Sequence, residues 1–160
     1  MKIILGTAHL KSVPGKCSPD KRLFEWKYSR ELVKAIYDAL KKMNYDVYID
    51  MEEEDISTPE LKTRVERVNK LGEDSIYISI HINGAGDGNK WMNASGWECY
   101  TTRGTTKSDK LAECLYESAE KNLKGKIIRR DLSDGDSDKE ADFYVIKNVR
   151  CPAVLTENFF

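Results

Sequence analysis

Both histidines of this chain lie at the ends of apolar segments. His9 follows directly after the segment 2–8, and His81 lies near the end of the isoleucine-rich segment 75–83. Neutral imidazole is the commonest metal ligand in proteins, although a lone histidine is more often structural than a ligand. Two histidines at the same edge of one sheet are a more specific signal than either alone. Together they predict a metal site.

A metal site here needs a further ligand besides the two histidines. A catalytic zinc ion commonly takes two histidines and one carboxylate and leaves a fourth position open for water. Glu25 and Glu31 are the candidates for the carboxylate, because both lie near the start of the first predicted helix. Glu157, at the end of the last predicted strand, would be a second carboxylate that acts on the water. The residues alone leave the choice between Glu25 and Glu31 open.

Strands and helices are predicted to alternate along the chain. Apolar or alternating segments predict strands at residues 2–8, 46–50, 75–83, 96–102 and 153–156. Helical spacing predicts helices at residues 22–43, 61–71 and 106–124. A capping box of Ser57 and Glu60 precedes the second helix, and residues 142–146 are interpreted as a short strand or turn.

This alternation favours an α/β fold, with a single mixed, mostly parallel sheet flanked by helices on both faces. In such sheets, ligands bind beyond the carboxyl ends of the strands, which is where both histidines are predicted to lie. The chain of 160 residues is about the size of one domain, and no repeat or linker divides it.

The composition excludes several classes of partner. Lys and Arg number 26 against 27 Asp and Glu, a net charge of −1 that argues against a nucleic-acid partner. No apolar run reaches the ~20 residues needed to span a bilayer. Residues 1–6 are too short for a signal peptide and lack a cleavage site, so we expect synthesis in the cytoplasm. The widely spaced cysteines are expected to be buried free thiols: Cys17, Cys99, Cys114 and Cys151.

Two polar segments, 84–88 and 131–142, superficially resemble ligand-binding loops but lack the required spacing. The glycine-rich segment 84–88 lacks the ending of a phosphate-binding loop, so we expect a flexible loop beside the site. Trp91 in the same loop could stack on a sugar, but packing against the base of its own loop is the simpler interpretation. The acidic segment 131–142 does not fit the spacing of a calcium-binding EF-hand, and we expect a solvated loop.

Four segments resemble those of a known enzyme family. They are Gly6-Thr-Ala-His9, Phe24-Glu25, Ser79-Ile-His81-Ile-Asn83 and Cys151-Pro-Ala-Val-Leu-Thr-Glu157-Asn158. In this order they resemble the zinc-dependent N-acetylmuramoyl-L-alanine amidases, and most of all the catalytic domains of phage endolysins. The resemblance covers essentially the whole chain. The last two segments together are fairly specific evidence for this family, whereas each segment alone is weak evidence.

The resemblance implies a ligand set and a reaction. His9, Glu25 and His81 would bind zinc, and Glu157 would be the catalytic carboxylate. Glu25 is preferred over Glu31 because the ligand in this family is followed four positions later by a small polar residue, here Ser29. The reaction would be hydrolysis of the peptidoglycan amide bond between N-acetylmuramic acid and L-Ala. The protein would therefore act at the bacterial cell wall and lyse it.

The chain also departs from the family. The family often has Asp-Pro-Gly-His-Gly where this chain has Thr7-Ala8 before the histidine and Leu10 after it. Relatives continue beyond the position of Phe160. We therefore expect residues 1–160 to be a single catalytic domain that lacks a C-terminal segment, with Phe159 and Phe160 packed against the domain or a neighbouring chain.

Two other functions remain open. One is another zinc hydrolase of peptidoglycan peptides, such as a carboxypeptidase. Those enzymes usually carry a compact His-x-x-Glu pair, whereas His9 is followed three positions later by Ser12. The other is a non-catalytic peptidoglycan-binding module, which would be expected to have lost a ligand or Glu157. The candidate ligands and Glu157 are all present in this sequence, so the amidase function is favoured.

Overall fold

The computed structural model describes residues 1–51 and 60–160, which are arranged around one six-stranded sheet. Its elements in chain order are β1 (Lys2–Thr7), α1 (Glu25–Lys42), β2 (Val47–Ile49), α2 (Glu60–Lys70), β3 (Ser75–His81), β4 (Trp97–Thr101), α3 (Lys107–Asn122), β5 (Lys139–Glu140), α4 (Tyr144–Asn148) and β6 (Ala153–Asn158). The spatial order of the strands is β2-β1-β3-β6-β4-β5. Every neighbouring pair is parallel except β4 and β6, which are antiparallel. The predicted mixed, mostly parallel sheet is therefore confirmed.

Helices cover both faces of this sheet, as predicted. On one face α1 packs on β1, β2 and β3, while α3 packs on β4 and β6. On the other face α4 packs on β3 and β6 and also against α2. The side chains of β3 show the division, because Ile76, Ile78 and Ile80 belong to the clusters under α1 and α3, and Tyr77 belongs to the cluster under α2 and α4. Burial on both faces explains why β3 is apolar with so little alternation.

A buried carboxylate that accepts hydrogen bonds fixes the carboxyl end of β1, two residues before His9. Asp50 Oδ1 accepts a hydrogen bond from the backbone N–H of Thr7 at 2.9 Å. Asp50 Oδ2 accepts from the guanidinium of Arg64 at 2.8 Å and from the hydroxyl of Tyr77 at 2.8 Å. The side chains of Asp50, Arg64 and Tyr77 are almost fully buried. Each strong donor and acceptor is thereby paired inside the core, as buried charges require.

Arg64→Met is expected to lower the free energy of unfolding by about 3–5 kcal/mol, because it leaves the buried charge of Asp50 without a cation. Urea denaturation followed by circular dichroism measures the change. Arg22→Met is the matched control, since Arg22 pairs with Asp20 at the surface and its side chain is 85% exposed. We expect the control to unfold close to wild type, and equal losses in the two variants would contradict the role assigned to the buried pair.

Several predicted boundaries are wrong for identifiable reasons. Residues 142–146 are not a strand or turn, because Val145 and Ile146 enter the core on the short helix α4. The strand β6 continues past Thr156 to Asn158, since it pairs with strands on both sides. The acidic segment 131–142 is not wholly solvated, because it contributes β5 and buries Asp138, whose Oδ2 accepts a hydrogen bond from Thr101.

Other predictions have mixed outcomes. The capping residue Ser57 lies outside the described residues, so the predicted capping box stays a prediction. All four cysteines are free as predicted, but only Cys99 and Cys151 are buried, whereas Cys17 is partly buried and Cys114 is exposed. The expected packing of the C-terminal aromatic residues is confirmed, because Phe159 joins the cluster under α3 and the ring of Phe160 lies 5.1 Å from the guanidinium carbon of Arg129. Among the described residues, no helix has the length and apolar character of a membrane-crossing segment.

Candidate metal centre

Three side chains with metal-binding atoms meet at the carboxyl edge of the sheet. His9 follows β1, Glu25 is the first residue of α1, and His81 is the last residue of β3. One ligand atom from each lies within 4.8 Å of those of the other two. Glu25 Oε1 is 2.9 Å from His81 Nδ1, and Glu25 Oε2 is 3.6 Å from His9 Nε2. The predicted convergence of these three residues is therefore found in the structure.

Glu31, the other candidate from the sequence, lies elsewhere. Its side chain is 67% exposed and faces Lys27 at 3.9 Å on the surface of α1. A helix turns through about 100° per residue, so positions 25 and 31 of α1 do not share a face. The structure thus brings Glu25, and not Glu31, to the two histidines.

Two residues of α1 hold the strand ends that carry the histidines. The buried hydroxyl of Ser29 accepts a hydrogen bond from the backbone N–H of Ala8 at 2.7 Å and donates one to the carbonyl of Ile80 at 2.6 Å. The guanidinium of Arg30 donates to the carbonyl oxygens of Ala8 and His9 at 3.0 and 2.8 Å. These bonds also support His9 in an uncommon backbone conformation, with φ at +26°. One helical turn therefore fixes the ends of β1 and β3 relative to Glu25.

The environment favours the metal-binding forms of His9 and Glu25. The pKa of His9 is lowered to about 4, mainly by burial. The charge of Glu25 raises this pKa, whereas the charges of His81 and Lys16 lower it. Burial raises the pKa of Glu25, but the hydrogen bond from His81 and the charges of both histidines outweigh it and hold that pKa below its usual value. His9 is thus neutral and Glu25 ionised near pH 7. Metal cations bind histidine and carboxylate in these forms.

Glu157 lies beside this group on the neighbouring strand. It is the register partner of His81 between β6 and β3, so the two side chains share a face of the sheet. Burial raises the pKa of Glu157 to about 8, with further contributions from the negative charges of Glu25 and Glu98. Its Oε2 atom is buried and has no hydrogen-bond partner among the described residues. With this pKa the carboxyl group is mostly protonated near pH 7, and a cation beside it would favour the ionised form.

Glu98 is a neighbour of the site that sequence reasoning missed. It is the register partner of Glu157 on β4 and is 1% exposed. Its carboxylate is paired with Lys139 at 2.6 Å and Arg129 at 2.9 Å. It also accepts a hydrogen bond from the side chain of Asn83, directly after β3. A glutamate between Trp97 and Cys99 in an otherwise apolar strand was the signal available in the sequence.

A cleft of about 850 Å³ opens beside the candidate metal ligands. Its walls include His9, Glu25, His81 and Glu157, together with the loop 82–94 and part of the segment 15–25. A smaller cavity of about 160 Å³ also borders both histidines, and its lining includes Glu60 and Arg64 of α2 and apolar groups of α4 and β6. A substrate bond at the candidate metal site would be reached from the larger cleft, which is within the size range of known ligand pockets.

The chain is similar in sequence to known proteins. Residues 3–160 match the model of a family described as N-acetylmuramoyl-L-alanine amidase. The endolysin of Bacillus phage SPP1 is 27% identical over 133 residues, which are 81% of this chain. The chain spans only 44% of the length of that curated relative.

Solved structures with the same fold include several amidases. The amidase AmiC2 of Nostoc punctiforme superposes with a TM-score of 0.79 at 20% sequence identity. The superposition covers 100% of this chain and 79% of the AmiC2 chain. The catalytic domain of CwlV, an amidase from Bacillus (Paenibacillus) polymyxa, gives a TM-score of 0.75 at 21% identity over 99% of this chain and 79% of its own. At these identities the superpositions establish the shared fold.

Proposed function

The chain belongs to the N-acetylmuramoyl-L-alanine amidase family, and we propose that it hydrolyses the amide bond between the lactyl group of N-acetylmuramic acid and the L-Ala of the peptidoglycan stem peptide. The observation that carries the proposal is the meeting of His9, Glu25 and His81 in the wall of a large cleft, which Glu157 also lines. The similarity to a phage endolysin supports action at the bacterial cell wall.

We propose zinc as the metal. Two imidazoles and one carboxylate are the donor set of many catalytic zinc sites, which keep a further position open. The donors fit this role because their ligand atoms lie close together, His9 is held neutral and Glu25 is held ionised. When bound, zinc polarises a carbonyl group and lowers the pKa of water.

Glu157 is proposed to move the proton in this reaction. Its carboxylate accepts a proton from the attacking water, whose oxygen forms a bond to the lactyl carbonyl carbon. The carbon–nitrogen bond of the amide then breaks, and Glu157 passes the proton to the departing nitrogen of L-Ala. The products are a lactyl carboxylate on the glycan and a free amino group on the stem peptide. The unpartnered, buried Oε2 of Glu157 and the position of Glu157 beside His81 support this role.

Metal removal tests the proposed hydrolysis and separates it from the alternatives. Chelator-treated protein should release no soluble peptide from purified peptidoglycan, and added zinc should restore the release. A carboxypeptidase would instead release free D-Ala, and a binding module would sediment with the peptidoglycan without releasing either. Equal peptide release before and after removal of the metal would contradict the zinc-dependent mechanism.

Two matched variants test the carboxylate ligand. Glu25→Gln should lose most of the bound zinc, because it removes the only anionic donor of the proposed set. Glu31→Gln makes the same chemical change six positions along α1. This variant should keep one zinc ion per chain, because the Glu31 side chain is exposed. Elemental analysis after dialysis gives the zinc content of each. Zinc loss from the Glu31 variant alone would reverse the assignment.

A further inference from the structure

Trp91 is a large aromatic residue that the fold leaves exposed at the cleft. Its side chain is 61% exposed, yet the residue lines the cleft that contains His9, His81 and Glu157. None of the ring–ring or cation–ring contacts within residues 1–51 and 60–160 involves it. An exposed indole in a cleft offers a large apolar ring face together with a polar N–H group, and both are available to a ligand.

The neighbouring residue, Met92, is 47% exposed and contacts the backbone of the same loop at Gly86. A Cβ atom on Gly86 would lie 3.3 Å from Cγ of Met92, so the methionine lies directly against the loop backbone. Gly86 has φ of +70°, which glycine adopts readily, and this brings the two parts of the loop together. Trp91 itself stays 61% exposed, so it is not buried against its own loop as expected.

The chemistry of the cleft matches a sugar. A pyranose ring has an apolar face of C–H groups, which stacks on aromatic rings, and a rim of hydroxyl and acetamido groups, which form hydrogen bonds. The cleft offers the Trp91 indole together with polar side chains of Lys16, Asn83 and Asp87. Its volume of about 850 Å³ is sufficient for more than one sugar ring. By contrast, the smaller cavity beside the histidines is lined mainly by apolar groups.

We propose that Trp91 is a stacking platform for a pyranose ring of the peptidoglycan glycan strand, and that it contributes to recognition of the polymer rather than to bond cleavage. This inference rests on the proposed function for the identity of the substrate. In the substrate, the glycan and the peptide diverge from the scissile amide. With the amide at the candidate metal ligands, the proposal places the glycan in the part of the larger cleft that Trp91 lines.

Binding of peptide-free glycan strands tests this proposal without requiring turnover. Isothermal titration calorimetry of the full chain should show Trp91→Ala binding the strands about two- to tenfold more weakly, the range of a single aromatic stacking contact. Trp91→Phe should recover part of the affinity. Tyr45→Ala is the matched control, because Tyr45 is 47% exposed but does not line the cleft, and it should bind like wild type.

Kinetics on peptidoglycan supply the second measurement. Trp91→Ala should raise KM by a similar factor while kcat stays near the wild-type value, because Trp91 is placed outside the reacting group. Unchanged glycan affinity in Trp91→Ala would overturn the inference, as would weakened binding of free stem peptides with unchanged glycan binding. Glycan binding that depends on Trp91 in a protein that cleaves no peptidoglycan would support the inference and reject only the proposed hydrolysis.

Discussion

Glu157→Gln is expected to reduce turnover on peptidoglycan by about 10²–10⁴-fold while the protein keeps its fold and its zinc. The amide of glutamine is nearly isosteric with the carboxylate but cannot accept a proton from water near pH 7. Glu157 is not a member of the three-residue group that could hold the metal, although its strand position is paired with that of His81. The loss should therefore fall on the chemical step alone.

Three measurements on the same preparation separate the possible outcomes for this variant. Circular dichroism reports the fold, elemental analysis the zinc content and release of soluble peptide the turnover. Glu113→Gln is the matched control, since Glu113 is exposed on α3 and should behave like wild type in all three. Full zinc content with wild-type turnover in Glu157→Gln would refute the catalytic role. Loss of zinc from Glu157→Gln would instead identify Glu157, and not Glu25, as the carboxylate ligand.

His81→Ala is expected to abolish stoichiometric zinc binding. Weakening a partner that merely orients a metal ligand typically costs about 10–100-fold in metal affinity, and removing a ligand itself should cost more. His81 also forms the 2.9 Å contact with Glu25, so its loss leaves that buried carboxylate with less support. Activity should fall together with the zinc content.

Competition with a chromogenic chelator measures the zinc affinity of this variant. Lys90→Ala is a suitable control, because Lys90 lines the cleft but is not one of the three grouped residues. The control should bind zinc like wild type. Full zinc occupancy in His81→Ala at the same free zinc concentration would contradict the ligand set.

The positions of His9 and His81 could be predicted because both are consequences of topology. Parallel neighbouring strands end at the same edge of a sheet, and β1 pairs directly with β3. The apolar character of the two strands was enough to place both histidines there. The choice of Glu25 over Glu31 depended on family resemblance, since both positions lie in the first turns of the same helix. In the structure, the difference is a matter of which face each residue occupies.

Features that depend on tertiary pairing were not predictable. The strand β5 has two residues and exists only because it pairs with β4. The buried carboxylate of Glu98 is stabilised by Arg129 and Lys139, which follow it by more than thirty positions and carry no periodic signal. The helix α4 is too short for periodicity to distinguish it from a strand.

The chemical identity of the new ends in digested peptidoglycan tests the central claim most directly. Purified peptidoglycan is incubated with the zinc-loaded protein, and the products are examined by amino-group labelling and mass spectrometry. The proposed function predicts free amino groups on L-Ala, intact glycan strands and lactyl groups that end in a carboxylate. Release of terminal D-Ala, new reducing sugar ends, or cleavage within the stem peptide with L-Ala still attached to the lactyl group would contradict it.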